Sequence, residues 1–166
     1  MKALDERDEF LKAYEAYADA IFRHCYFRLY DRERAKELMQ ETFMRTWTYM
    51  TNGNVIRDLR PFLYRTANNV IIDEQRKRKP VSLDELTDAG VQFPSPQGAS
   101  IELRIDAHRI MDLVKQIDEP YRTAVTMRYI DELSPKEIAM ILETSENVIS
   151  VRIHRGVEKV RKLVEQ

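Results

Sequence analysis

The chain has 166 residues, 43% hydrophobic and 33% charged, with 4 glycines and a net charge of -1. That is enough for one ordinary domain or two small ones, and the scarcity of glycine, with no long alternating β-branched runs, argues against an all-β fold. A near-neutral total says nothing of a nucleic-acid partner; only local patches speak to one, "RKRK" from Arg76 to Lys79, and Arg152, Arg155, Lys159, Arg161 and Lys162 against Glu146 and Glu158.

The opening "MKALDERDEF" is charged and has no signal-peptide-like apolar core. Phe10, Tyr14, Tyr17, Ile21 and Phe22 then recur at helical spacing and predict one apolar stripe. Cys25 is the single cysteine, so no internal disulfide can form, and a reducing cytoplasm is the expected compartment. His24 beside it does not make a metal site, since two adjacent ligands are too few. A core-facing cysteine next to a partly exposed histidine is expected instead.

A charged turn, "YDRER", precedes "AKELMQETFMRTWTYM". That segment puts Ala35, Leu38, Met39, Thr42, Phe43 and Thr46 on one side and Glu37, Gln40, Glu41 and Arg45 on the other. The pattern is a surface helix with a free polar face. "TNGNVIRD" reads as a loop from Gly53 and its asparagines. Pro61 suits the first position of the next helix, "PFLYRTANNVIIDEQRKRK". Its basic end either complements the helix dipole or meets phosphates.

Between Pro80 and Ser100 the chain turns acidic and rich in Pro and Gly, too long for an ordinary loop and expected to be a linker. The predicted architecture is all-α: two small helical domains at 1–79 and 101–166, joined by a flexible linker at 80–100. Ile101, Ile105, Met111, Val114 and Ile117 predict a helix that stops near "DEP", and "YRTAVTMRYI" predicts another. No apolar run approaches the roughly 20 residues of a membrane helix.

Ser134-Pro135-Lys136-Glu137 is a capping box with proline at the first helical position. Ile138, Ala139, Ile141 and Leu142 turn inward. "ETS" makes a turn, and Thr144 or Ser145 can cap the following helix. There Ile149, Ile153, Val160 and Val164 form an apolar face, while Ser150, Arg152 and Arg155 project elsewhere. Gly156 suits close packing on the preceding helices. Two short helices with a basic second member fit a DNA-binding helix-turn-helix, and on periodicity alone they fit a plain helical hairpin equally well.

"DEPYRTAVTMRYIDELSPKEIAMIL…VISVRIHRGVEKVRKL" resembles the C-terminal promoter-reading domain of the sigma-70 family, in particular its extracytoplasmic-function (ECF) branch. Independently, "AKELMQETFMRTW" and "FLYRTANNVIIDEQRKRK" are similar to that family's N-terminal motifs. The two sets occur in the family's order and cover nearly the whole chain. The chain departs from the pattern at Asp118, where proline is usual, and at Glu143, where glycine is common, so a looser turn is expected. Ser150-Val151 replaces a Lys-Ser pair, and Asn68 replaces a frequent arginine.

The resemblance implies an initiation factor that binds core RNA polymerase, directs it to promoters and assists melting of the −10 element. Glu37, Gln40, Glu41 and Arg45 would dock on the polymerase clamp. Asn52, Gly53 and Asn54 would capture a flipped −10 base, and Arg65, Asn68, Asn69, Arg76, Lys77 and Arg78 would hold −10 DNA, with Asp73 orienting an arginine. Glu146, Asn147, Ser150, Val151, Arg152 and Arg155 would meet the −35 major groove. The linker would thread toward the polymerase active centre. An anti-sigma partner and a monomeric free state are also implied. No cofactor, metal or enzymatic activity is expected: His24, His108 and His154 are scattered, and no nucleophile triad, phosphate loop or zinc spacing occurs. The rival readings are a stand-alone helix-turn-helix regulator, which would need a dimer interface, and a helical adaptor that binds protein only.

Overall fold

A computed structural model describes residues 2–78 and 101–166, with side chains at 4–78 and 108–166. Lys79 and the predicted linker at 80–100 lie outside the described residues. The described residues are all-α, and the chain divides into two units between Asp88 and Ala89.

The first unit is built from α1 (Lys2–Leu29), α2 (Arg32–Thr51) and α3 (Leu59–Lys77), each packed on the other two. α1 ends where Tyr30 takes a left-handed conformation, φ 53°. Asp31 then caps α2 by accepting the Arg34 N–H at 3.0 Å. The predicted turn "YDRER" therefore contracts to Tyr30-Asp31, because a good N-cap lets the charged residues after it enter the helix.

The apolar side of α2 is buried as its periodicity predicts: Ala35, Leu38, Met39, Thr42, Phe43 and Thr46. Both threonines are tolerated inside because their hydroxyls donate to carbonyls one turn back, Thr42 to Leu38 at 2.8 Å and Thr46 to Thr42 at 2.9 Å. α1 differs from its predicted stripe. Phe10, Tyr17 and Phe22 are only half-buried and Tyr14 is exposed, while Ala13, Ile21, His24, Cys25, Tyr26 and Phe27 form its buried side. His24 is fully buried, not partly exposed, and meets the Tyr64 ring edge-on at 5.2 Å. α3 starts at Leu59 behind the cap Asp58, so Pro61 is its third residue. A proline is still tolerated there because the first-turn N–H groups have no helical partner.

The second unit comprises α4 (Ile101–Gln116), α5 (Tyr121–Tyr129), α6 (Pro135–Ile141) and α7 (Glu146–Val164). α7 packs on all three others. Val114, Ile117 and Val125 form a core that Tyr121, Val160 and Leu163 cover. Leu163 takes the place expected of Val164, which is exposed. Glu119 stands in for a cap on α5, accepting from the Thr123 N–H at 3.2 Å and its hydroxyl at 2.7 Å. Gly156 is buried where a Cβ would lie 2.4 Å from Val125 Cγ2 and 3.2 Å from the Tyr121 carbonyl oxygen. That closeness explains glycine inside a helix, despite its poor helix propensity.

Candidate nucleic-acid interface

On α2 the polar residues Glu37, Gln40 and Arg45 are exposed and Glu41 half-exposed, forming a ridge opposite the core side. The ridge is organised. Arg45 donates to Glu41 at 2.6 Å and approaches Asp73 on α3 at 3.6 Å. Asp73 thus orients an arginine, one on α2 rather than in its own basic run. Glu37 pairs with Arg34.

Arg34 leads inward to a feature that sequence patterning missed. Glu74, only 7% exposed, receives Arg34 Nε and Nη2 at 2.5 Å each and Arg78 Nε at 3.1 Å. Arg78 also reaches Asp31 Oδ2 at 2.9 Å. The Arg34 hydrogen bonds are the chief reason the Glu74 carboxyl titrates below its usual range. Asp31 is lowered as well, first by the Arg34 backbone N–H. This network joins the start of α2 to the end of α3 and engages Arg78 within the domain. The available signal was a carboxylate three residues beyond buried Ile71, on the inward side of the helix.

After α2 the chain turns at Asn52, whose N–H donates to Thr48 O at 3.1 Å, and at Gly53, φ 87°. Only glycine adopts that φ readily. The Asn54 side-chain amide donates to Tyr49 O at 3.0 Å and braces the loop, while Asn52 is exposed. Val55, absent from the expected contacts, is 83% exposed at this loop. Arg65, Asn69 and Arg76 are exposed on one stripe of α3 with half-exposed Asp73 between them, and Lys77 is exposed at the helix end. Asn68 does not join them. It is 3% exposed and accepts from Arg28 Nη1 at 2.8 Å. One residue's rotation, about 100°, turns it from the surface stripe to the interior, so its expected place on a DNA-holding surface is corrected to an internal brace.

In the second unit the capping box is complete: Glu137 N–H donates to Ser134 Oγ at 3.1 Å, and Ser134 N–H to Glu137 Oε2 at 2.7 Å. Glu143 adopts φ 54°, the conformation glycine would favour, and Thr144 N–H closes onto Ala139 O at 3.0 Å. The expected loosening of the turn does not occur, because one non-glycine left-handed residue costs only ~1–2 kcal/mol. Ser145 caps α7 through the Val148 N–H at 3.2 Å.

Ile149 is fully buried, while Ile153 is only half-buried. Glu146, Asn147, Val148, Ser150, Val151 and Arg155 are exposed. Arg152 lies half-buried at the margin rather than on the outward face, being three residues from buried Ile149 and four from buried Gly156. Asp118, the departure from proline, meets Lys159 of α7 at 3.0 Å, and this hydrogen bond is the first cause of its lowered pKa. Lys159 also sits 5.1 Å over the Tyr121 ring.

The family model for Sigma-70 region 2 matches residues 13–81, and that for Sigma-70, region 4 matches residues 107–160. The chain is 31% identical to the ECF RNA polymerase sigma factor SigW of Bacillus subtilis, over 95% of this chain and 89% of that one. It is 27% identical to SigM of the same organism, over 90% and 91%. Its fold is shared with the sigma factor RpoE in complex with the anti-sigma factor NepR from Bartonella quintana, at TM-score 0.72 and 18% identity, covering 95% of this chain and 97% of that one. It is shared also with CnrH in complex with the cytosolic domain of CnrY, at TM-score 0.69 and 18% identity, covering 96% and 89%. The chain belongs to the sigma-70 family of RNA polymerase sigma factors, in its extracytoplasmic-function group.

Proposed function

We propose that the chain binds core RNA polymerase, brings it to promoters with matching −10 and −35 elements, and assists melting at −10. The observation that carries this is the ordering of two unlike surfaces on one small bundle. The α2 ridge of Glu37, Gln40, Glu41 and Arg45 offers charges to a protein partner. The adjoining loop and the α3 stripe offer amides and cations to DNA. Asn52 presents a free-standing donor and acceptor pair to a flipped base edge, while Asn54 and Gly53 hold the loop in shape. Arg65, Arg76 and Lys77 supply phosphate contacts, which position DNA without reading it. Asn69 is an exposed α3 amide available to a base.

In the second unit, Asn147, Ser150, Val151 and Arg155 face the −35 major groove, with Glu146 at the helix start and Arg152 at its edge. One solved structure that shares this fold is a sigma factor bound to an anti-sigma factor, and a protein of that class is the proposed inhibitor, keeping a monomeric chain inactive until released.

Glu41→Lys tests the ridge. The side chain is half-exposed, so helicity is expected to be kept. Binding to core polymerase, followed by fluorescence anisotropy of labelled chain, is expected to weaken at least tenfold. Affinity equal to the parent's would remove the ridge from the interface.

A further inference from the structure

We propose that α7 selects a thymine in the −35 element through the C5-methyl group of that base, with Val151 as the contacting side chain and Val148 widening the apolar surface. This rests on the reading of α7 as the helix that enters the major groove, and it names the base chemistry the helix recognises there.

The rotation of α7 is fixed from its buried side. Ile149 is fully buried, and Gly156 admits no Cβ against Val125 and Tyr121. At about 100° per residue, Val151 falls on the side opposite both. It is 41% exposed, and Val148, one turn earlier, is 38% exposed. Other exposed neighbours of Val151 on that face are polar, among them Asn147, Ser150 and Arg155. A valine there has no donor or acceptor for a base edge and no side-chain freedom to swing aside, since a β-branched residue is stiff at χ1.

Among the major-groove edges only thymine presents a methyl group, and apolar side chains read it by contact. Against cytosine the same valine would cover an amino donor and leave it unpaired. Val151 and Arg155 lie about 6 Å apart along the helix axis. Base pairs are about 3.4 Å apart, so the selected thymine falls within about two base pairs of the group Arg155 holds. Arg155 supplies the polar half of the contact and Val151 the apolar half.

The test uses the full chain with core polymerase on a promoter selected by that holoenzyme from a randomised −35 library. Each −35 thymine is replaced in turn by deoxyuridine, which removes only the C5-methyl group. One position is expected to lose about three- to fivefold in affinity, the worth of one buried methyl. Val151→Ala, an exposed helical change to a better helix former, is expected to lose a similar factor on the thymine template. It is expected to show no further loss with deoxyuridine at that position. Full affinity on every deoxyuridine template, or unchanged deoxyuridine sensitivity in Val151→Ala, would overturn the thymine contact while leaving α7 in the groove. A parent that selects no −35 sequence, together with Arg155→Ala binding like the parent, would overturn the groove reading itself.

Discussion

Gly156→Ala sets two effects of known sign against each other. Alanine in place of glycine favours a helix by up to ~1 kcal/mol. The new methyl, however, would stand 2.4 Å from Val125 Cγ2, where carbon atoms prefer about 3.5–4.0 Å, and 3.2 Å from the Tyr121 carbonyl oxygen. Neither neighbour yields easily. Val125 is stiff at χ1 and packed in a core with Val114 and Ile117, and the carbonyl belongs to the backbone of α5. Overpacking of this kind costs about 1–3 kcal/mol; set against the helix gain, the second unit is expected to lose up to about 2 kcal/mol net. Hydrogen exchange followed by mass spectrometry on the full chain reads the effect where it occurs. Peptides from α5 and α7 are expected to exchange faster, by up to about 30 times, and peptides from α1 to α3 at the parent rate. Adding Val125→Ala removes the clashing atom, so the double variant is expected to be at least ~1 kcal/mol more stable than the sum of the single changes. Slower exchange of α7 in Gly156→Ala would refute the close approach.

Three more outcomes are expected. Glu74 and Asp31 are held below their ordinary ranges in the fold, so the unfolded chain binds more protons in mild acid; the stabilisation is complete at neutral pH and is lost as pH falls below about 4. Glu74→Gln is expected to flatten this acid loss and to cost about 1.5–3 kcal/mol at neutral pH, measured by urea unfolding of the first unit through Trp47 fluorescence; an unchanged acid profile would contradict the role of the network. Arg155→Ala is expected to leave the melting temperature nearly unchanged and to cost about 1–3 kcal/mol in −35 binding if it meets a base edge; a phosphate contact would instead weaken all sequences alike and reduce the salt slope by about one unit. Asn52→Ala is expected to leave polymerase binding intact and lower permanganate reactivity at −10, and undiminished reactivity would reduce the loop to a turn.

Much of this was readable in the sequence because the signals were local. The two sides of α2 follow from spacing alone, and Ser134 with Glu137 specifies the cap of α6. Gly156, a poor helix former inside a helical pattern, is itself a local signal of the close packing found there. The misses arose where tertiary contacts decide. Asn68 and Asn69 are adjacent amides in one motif, and the direction in which the bundle faces places one inside and one outside. Glu74 is a charge whose burial is tolerated by Arg34, a residue 40 positions away. Arg152 and Arg155 differ by three residues, and the packing of α7 against α5 leaves the first at the margin and the second outward. His24 looked partly exposed because α1 carries aromatics on several sides, and only the positions of α2 and α3 decide which side is core.

The most direct measurement is transcription in vitro from a genomic fragment library, with purified core polymerase and the chain, followed by 5′-end sequencing of the RNA. Initiation is expected to concentrate at a few sites sharing one −10 and one −35 sequence, to require the chain, and to fall sharply with Glu41→Lys. Start sites identical to those of core polymerase alone, while the chain binds DNA by itself as a dimer, would contradict its role as an initiation factor.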